Sequence, residues 1–416
     1  MTALRDIYLN DEMSKSRCYH AGNMNPTTTN IFNTTDSRIY RKKRQLIGRA
    51  VTERALRLFE PVMVEQVDIF VAQLQIASQA SPPEAVNMSQ RCKYLGIDVA
   101  GHLGFGYDLN TQTSDVHRYL VHAMMLGSWR MNLYMQWPLL RKLKMEILFY
   151  LVAVLKGKSL LQTVSKMIQA RLSQERHAKN DLYSYMAEAL DLPEGDKITL
   201  STIWNEAIFF FPAGGDTTGT AVCSVFFYLA SNPTCHKKLA QEIRSTFSSG
   251  SDIRVGPQLT GCLYLRACIN EAMRMSPPVG GTLWREQSPE GDKKPFVVDG
   301  HIIPPGTQVG VNIYSLHHSP TYFSEPFSYQ PDRWLRSDAN GMDITAFFPF
   351  SLGQRACPGK AMAYQEISLA MAKTIWQFDF EMANGQTTSK EFNLQDIFNS
   401  THDGPFLVFR PCAANE

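Results

Sequence analysis

Phe350-Ser351-Leu352-Gly353-Gln354-Arg355-Ala356-Cys357-Pro358-Gly359 is the stretch on which the reading of this chain turns. A helical pattern starts near Pro358 and runs to about Trp376. Cys357 therefore stands just before a helix N-terminus, where free backbone N–H groups and the helix dipole favour a thiolate. Pro358 suits a first helical turn, Gly353 permits a tight turn, and Arg355 can neutralise an anion beside the sulfur. A lone cysteine in a loop is ordinarily a buried free thiol, and taken by itself Cys357 would be read that way. The other seven cysteines, at 18, 92, 223, 235, 262, 268 and 412, stand singly without a CxxC pair. That argues against a structural zinc site or a disulfide framework and fits a reducing compartment.

Working backward from the loop, residues 319–355 are rich in proline and aromatics, and 296–314 show strand-like alternation broken at Asp299-Gly300 and Pro304-Pro305-Gly306. Two amphipathic helices precede them, over 261–275 and 233–248. Residues 199–231 read as a long, strongly apolar helix that runs through the core. Within it, Pro212 removes a helix hydrogen bond and Gly214-Gly215 weaken the next turn. The helix is therefore expected to distort beside Asp216-Thr217-Thr218 and leave room for a small ligand. Further back, 160–187 and 41–77 read as helices, the latter opened by the basic stretch Arg41-Lys42-Lys43-Arg44. Glu271 and Arg274 share a helix face at i,i+3, which by itself would suggest only a surface ion pair.

Residues 350–359 match the haem-binding loop of the cytochromes P450 at every constrained position, and from about Leu4 to Pro405 the order of elements resembles that family. The resemblance implies a mainly α fold with small β-sheets, forming a single haem domain over 1–416. It implies haem b with the Cys357 thiolate as axial iron ligand, an arrangement that donates electron density and favours O–O cleavage. Thr217 would then hydrogen-bond the oxygen and Asp216 would relay protons to it. Glu271 and Arg274 would join Arg333, from Gln330-Pro331-Asp332-Arg333-Trp334, in a buried structural triad, with Asp332 and Trp334 replacing more usual residues. Arg355, Arg285 and Arg44 are the candidates for holding the haem propionates, although Tyr40 stands where the family often has Trp or His four residues before Arg44.

The implied activity is a monooxygenase reaction on a small lipophilic substrate and O2, with electrons drawn from NADPH through a reductase. The stretches 36–61 and 375–380 resemble filamentous-fungal members of secondary metabolism. Such proteins normally begin with a membrane anchor, a first helix and two strands, and Leu4-Arg5-Asp6-Ile7-Tyr8 already resembles sequence beyond them. The chain is expected to be N-terminally shortened, with unpaired sheet edges as a risk to stability. Two other readings stay open: a P450-fold isomerase or dehydratase that needs no reductase, and a non-catalytic haem-binding remnant.

Composition sets the outer limits. With 41 basic against 39 acidic residues, nucleic acid is not an expected partner. The apolar run Ile147–Leu155 is too short to span a bilayer. Trp129, Trp137 and Leu139-Leu140 suggest surface-lying membrane contact. The family location is the cytosolic face of the endoplasmic reticulum, with a cytoplasmic location as the alternative. Pocket residues are expected within Met124–Leu140 and Phe209–Phe211.

Overall fold

The 32 residues from Leu200 to Ser231 form one helix that contributes to two apolar cores, with Thr199 capping its N-terminus. The computed structural model describes residues 2–22, 29–137, 139–143, 160–193, 198–287, 295–335, 344–384 and 389–412, so the run Ile147–Leu155 lies outside the described residues. With this core helix pack Glu53–Ser78, Met88–Phe105, Leu263–Met275 and Lys360–Gln377, sharing an apolar core that includes Phe70, Leu95, Phe226, Ile269 and Met371. A second core, around Ile47, Leu120, Ile168 and Phe211, joins it to Ser37–Ala50, Tyr119–Gln136, Leu160–Leu172 and Leu182–Ala187. A third, around Leu4, Phe296, Ile313 and Phe348, seats the N-terminal helix Thr2–Tyr8.

The sheets are small and antiparallel. β1 (Met13–Lys15) pairs with β3 (Arg285–Gln287), placing Lys15 opposite Arg285. β2 (Val86–Asn87) and β6 (Phe378–Met382) flank β7 (Phe406–Pro411). β4 (Phe296–Val298) and β5 (His301–Ile303) form a hairpin. Its turn is Asp299-Gly300, both at positive φ, the conformation that the right-handed strand twist selects and that Asp-Gly supplies. The architecture is mainly α with small sheets, as the sequence implies. No helix among the described residues is long and apolar enough to cross a membrane.

Three expectations change in detail. The helix expected over 41–77 is two helices, because Thr52 turns extended and caps the second by accepting from the Ala55 N–H. The one expected over 160–187 ends at Leu172 and resumes at Leu182, where Asp181 caps it. The C-terminal helix starts at Lys360 with Gly359 as its cap, so Pro358 lies just ahead of the helix and not in its first turn. The core helix itself continues through Pro212.

Bare backbone sets the spacing between the core helix and Met88–Phe105. A methyl group on Gly96 would lie 2.2 Å from the Gly215 carbonyl oxygen, and one on Gly219 would lie 2.8 Å from that of Cys92. Gly96→Ala should therefore destabilise by about 1–3 kcal/mol although alanine is the better helix former. Gly127→Ala, with open space around it inside Tyr119–Gln136, should gain up to about 1 kcal/mol. Denaturant midpoints of the two variants check the contrast.

Candidate active site

The cysteine loop is a folded turn. The Ser351 N–H donates to Phe348 O (2.9 Å), the Cys357 N–H to Phe350 O (2.8 Å) and the Ala356 N–H to Gly353 O (3.0 Å). Ser351 and Gly353 take positive φ. At Gly353 any side chain would also strike the Tyr8 carbonyl, 2.1 Å from the position of a Cβ. The turn aims the Cys357 sulfur at the N–H groups of Gly359 and Lys360. Burial pushes the thiol up, while Gly359, Arg44, Lys15 and Lys360 pull it back. The donors read from the sequence are thus in place, but burial outweighs them, and it takes a coordinated cation to deprotonate the thiol outright.

Cys357 alone of the eight cysteines is exposed, although protein surrounds it closely enough to desolvate it. Around it stand the predicted cations. Arg44 Nη1 donates to Ala356 O at 2.7 Å, one residue before the cysteine. Arg355 donates to Thr34 O at 2.7 Å and Thr35 O at 3.3 Å and lies over the Tyr40 ring, 3.6 Å from its centroid. Tyr40, in turn, donates to Gln354 O at 2.7 Å. Burial, with Arg285 nearby, pulls Arg355 down to about 10. Arg285 is buried in β3 over the Tyr8 ring.

Sequence reasoning missed Lys15, which lies 3.7 Å from the centroid of Phe32, buried, and pushed well below its usual pKa by desolvation and then by Arg285 and Arg355. Nothing in the sequence singled it out, because only the pairing of β1 with β3 brings it to Arg285. Among the described residues none of Lys15, Arg285 and Arg355 forms an ion pair. Three clustered basic side chains that form no ion pair among the described residues, beside an accessible cysteine, fit a cofactor that carries a metal and acidic groups. Cys357 would hold the iron, and Arg285, Arg355 and Lys15 the propionates, while Arg44 braces the loop. Haem, when bound, supplies the oxygen-activating redox chemistry.

On the core helix, Phe210, Ala213, Gly214 and Thr217 share a half-buried face, whereas Gly215, Asp216 and Gly219 are buried. The Thr217 hydroxyl donates to Ala213 O at 2.6 Å. The Asp216 carboxylate meets the ammonium of Lys93 at 3.2 Å, a partner that no sequence motif announced. A second buried acid, Glu206, pairs with Lys43 at 2.7 Å and accepts from the Ile31 N–H. The basic stretch at 41–44 therefore divides between the cysteine loop, a buried acid and the exposed Arg41 and Lys42.

The Glu271–Arg274 pair is not a surface pair. Arg274 donates through Nε and Nη2 to both Glu271 oxygens at 2.9 Å, and both residues are fully buried. Arg333 adds a bond to Glu271 Oε1 (3.0 Å), as does the Gln330 N–H (3.0 Å), and the Trp334 indole N–H reaches Oε2 (2.9 Å). The unusual Trp334 is thus a working member of the network, while Asp332 turns outward to Lys238.

Behind this network His317, also missed in the sequence, is held neutral: Nε2 accepts from the Phe348 N–H (3.1 Å), which leaves the Nδ1 proton for Arg274 O (3.2 Å). Burial, followed by the Arg274 charge, pulls its pKa down to about 3. An unfolded histidine titrates near 6.5, so the unfolded chain takes up this proton first. The His317 contribution is complete above about pH 6.5 and falls as the pH drops toward 3, by ~1.4 kcal/mol per unit. His317→Gln should remove that share of the acid slope in denaturation measured from pH 7 to 4.

A cysteine loop on a helix N-terminus beside clustered basic residues, in a fold that also holds a buried Glu–Arg–Arg network, fits a haem-thiolate protein. The sequence profile of the cytochrome P450 family matches residues 4–407. Among similar proteins, the cytochrome P450 monooxygenase poxM of Penicillium oxalicum is 31% identical over 98% of this chain and 79% of its own length. The cytochrome P450 monooxygenase lcsN of Purpureocillium lilacinum is 32% identical over 78% of this chain and 99% of its own. For the cytochrome P450 monooxygenase apf8 of Gibberella fujikuroi the figures are 30%, 84% and 98%. The chain belongs to the cytochrome P450 family, and it is an oxidoreductase of the monooxygenase class.

Proposed function

We propose that this P450 inserts one oxygen atom from O2 into a small lipophilic molecule in fungal secondary-metabolite biosynthesis, using electrons that a reductase partner draws from NADPH. The reading rests chiefly on the acid–alcohol pair, Asp216 and Thr217, on the core helix. Asp216 takes up protons and Thr217 passes them on through its hydroxyl, which is already ordered against Ala213 O. An isomerase or dehydratase would have no use for that pair. The side chains upstream argue for a lipophilic substrate: Phe32 stacks on Phe209 at 5.0 Å and meets Phe398 edge-on at 5.3 Å, with Phe210 beside Phe209. A wall of this kind orients apolar ring systems and excludes water. Trp129, Trp137 and Leu139, all exposed, support peripheral contact with a membrane such as the endoplasmic reticulum's cytosolic face.

The test is a reaction of the purified chain with reductase, NADPH, 18O2 and an apolar aromatic probe such as naphthalene, whose hydroxylated product keeps the inserted oxygen. One labelled oxygen per product molecule, with no turnover when NADPH is left out, is the expected result. Probe conversion that needs neither NADPH nor O2 would overturn the reading in favour of a rearrangement.

A further inference from the structure

Asp216 does not stand alone on the core helix. Gly215 and Gly219 let that helix touch Met88–Phe105 backbone to backbone, and the residues that line the facing side include Cys92, Lys93 and Gly96. The contact drives the Lys93 side chain into the interior, where it is 4% exposed and 3.2 Å from an Asp216 carboxylate that is 7% exposed. No other acid pairs with Lys93 and no other base with Asp216 among the described residues. Two buried ions with one partner each are bound to the same fate: remove one charge and the other is stranded in a poor solvent, where a carboxylate regains neutrality by taking a proton. Thr217, the next residue, lies on the half-buried face instead. The acid is thus paired and held on one side of the helix, and its alcohol partner opens on another.

We propose that Lys93 is the positioning residue for Asp216: it keeps the carboxylate ionised and parked, so that each proton delivered toward Thr217 requires the ion pair to open and re-form. This rests on the reading of Asp216 as the proton carrier. A proton arriving from water binds the carboxylate, giving a neutral acid that no longer holds Lys93. The acid hands the proton on through the Thr217 hydroxyl, and the regenerated carboxylate returns to an ammonium that has stayed charged throughout. Lys93 touches neither substrate nor cofactor; it acts through Asp216.

The experiment compares wild type, Lys93→Met, Lys93→Arg, Asp216→Asn and the double variant Lys93→Met/Asp216→Asn. Infrared spectra of the protein with 13C-labelled aspartate carboxyls, taken without turnover, should show an ionised carboxylate for Asp216, the band that disappears in Asp216→Asn. That band should move to the protonated-acid position in Lys93→Met and stay in Lys93→Arg. With reductase, NADPH and 7-ethoxycoumarin, NADPH oxidation per haem should fall ~10-fold or more in Lys93→Met. The probe's KM should hold and the solvent deuterium isotope effect should rise. Lys93→Arg should restore most of the rate, and the double variant should be no slower than Asp216→Asn alone. If Asp216→Asn itself leaves rate and isotope effect unchanged, the proton-carrier reading falls and the inference with it. If Asp216→Asn is slow but Lys93→Met keeps the wild-type rate, isotope effect and carboxylate band, Lys93 is a structural tie alone and only the inference is overturned.

Discussion

Glu271→Ala is expected to lower stability by about 3–5 kcal/mol, the range for stripping one partner from a buried ionic cluster. The carboxylate accepts from Arg274 Nε and Nη2, Arg333 Nε, the Gln330 N–H and the Trp334 indole. Removing it leaves two guanidinium groups facing each other in the interior with no counter-charge. Their remaining bonds, to His317 O, Pro326 O, Ser328 O, Ser324 O and Glu325 O, are to neutral carbonyls and cannot replace it. The loop that carries Arg333 and Trp334 meets helix Leu263–Met275 at this side chain, alongside the bonds of Arg274 to Pro326 O and of Tyr329 to Cys268 O, so haem retention should fall along with stability. Trp334→Phe, which removes a single donor and keeps the ring against Phe347, should cost about 1 kcal/mol. Denaturant unfolding followed by haem absorbance and by far-UV circular dichroism separates the two. A loss under 1 kcal/mol for Glu271→Ala would mean that the network carries no weight in the fold.

Cys357→Ser should have the opposite profile. The cysteine is exposed and its side chain belongs to none of the apolar cores. The loop is held by backbone bonds and by Arg44 and Tyr40, none of which uses the sulfur. Unfolding of the protein without haem should therefore shift by no more than about 0.5 kcal/mol. Monooxygenase turnover should fall by more than about a hundredfold, the most that loss of an outer-shell partner of a metal site usually causes. A serine hydroxyl supplies neither the negative charge nor the electron donation of a thiolate. Retention of a tenth or more of the wild-type turnover would contradict the assignment.

What could be read from the sequence is what is written locally. The cysteine loop, the Glu271–Arg274 spacing and the Asp216-Thr217 step are contiguous patterns, each fixed by its own turn or helix, and Arg333 follows from the same motif set. The turn at Asp299-Gly300 was legible for the same reason. The break at Val51–Thr52 was not, because apolar spacing continues across it and only the Thr52 cap marks the change of direction. Lys15, Lys93 and His317 escaped for a deeper reason: each acquires its meaning from a residue far away in the chain. Lys15 depends on a strand pairing with residue 285, Lys93 on two helices touching at glycines, and His317 on a backbone N–H at Phe348. A single lysine or histidine carries no pattern, so burial against a particular partner shows only in three dimensions. Trp334 is the intermediate case, marked in the sequence as a departure and explained by its bond to Glu271.

The central claim is that Cys357 binds haem iron as a thiolate. Its most direct test is the absorption spectrum of the reduced, carbon-monoxide-bound full chain, recorded beside Cys357→Ser. A strongly red-shifted Soret band in the wild type that vanishes in the variant is the predicted result. A wild-type band at the position of a neutral-thiol or histidine ligand, or a red-shifted band that survives in Cys357→Ser, would contradict it.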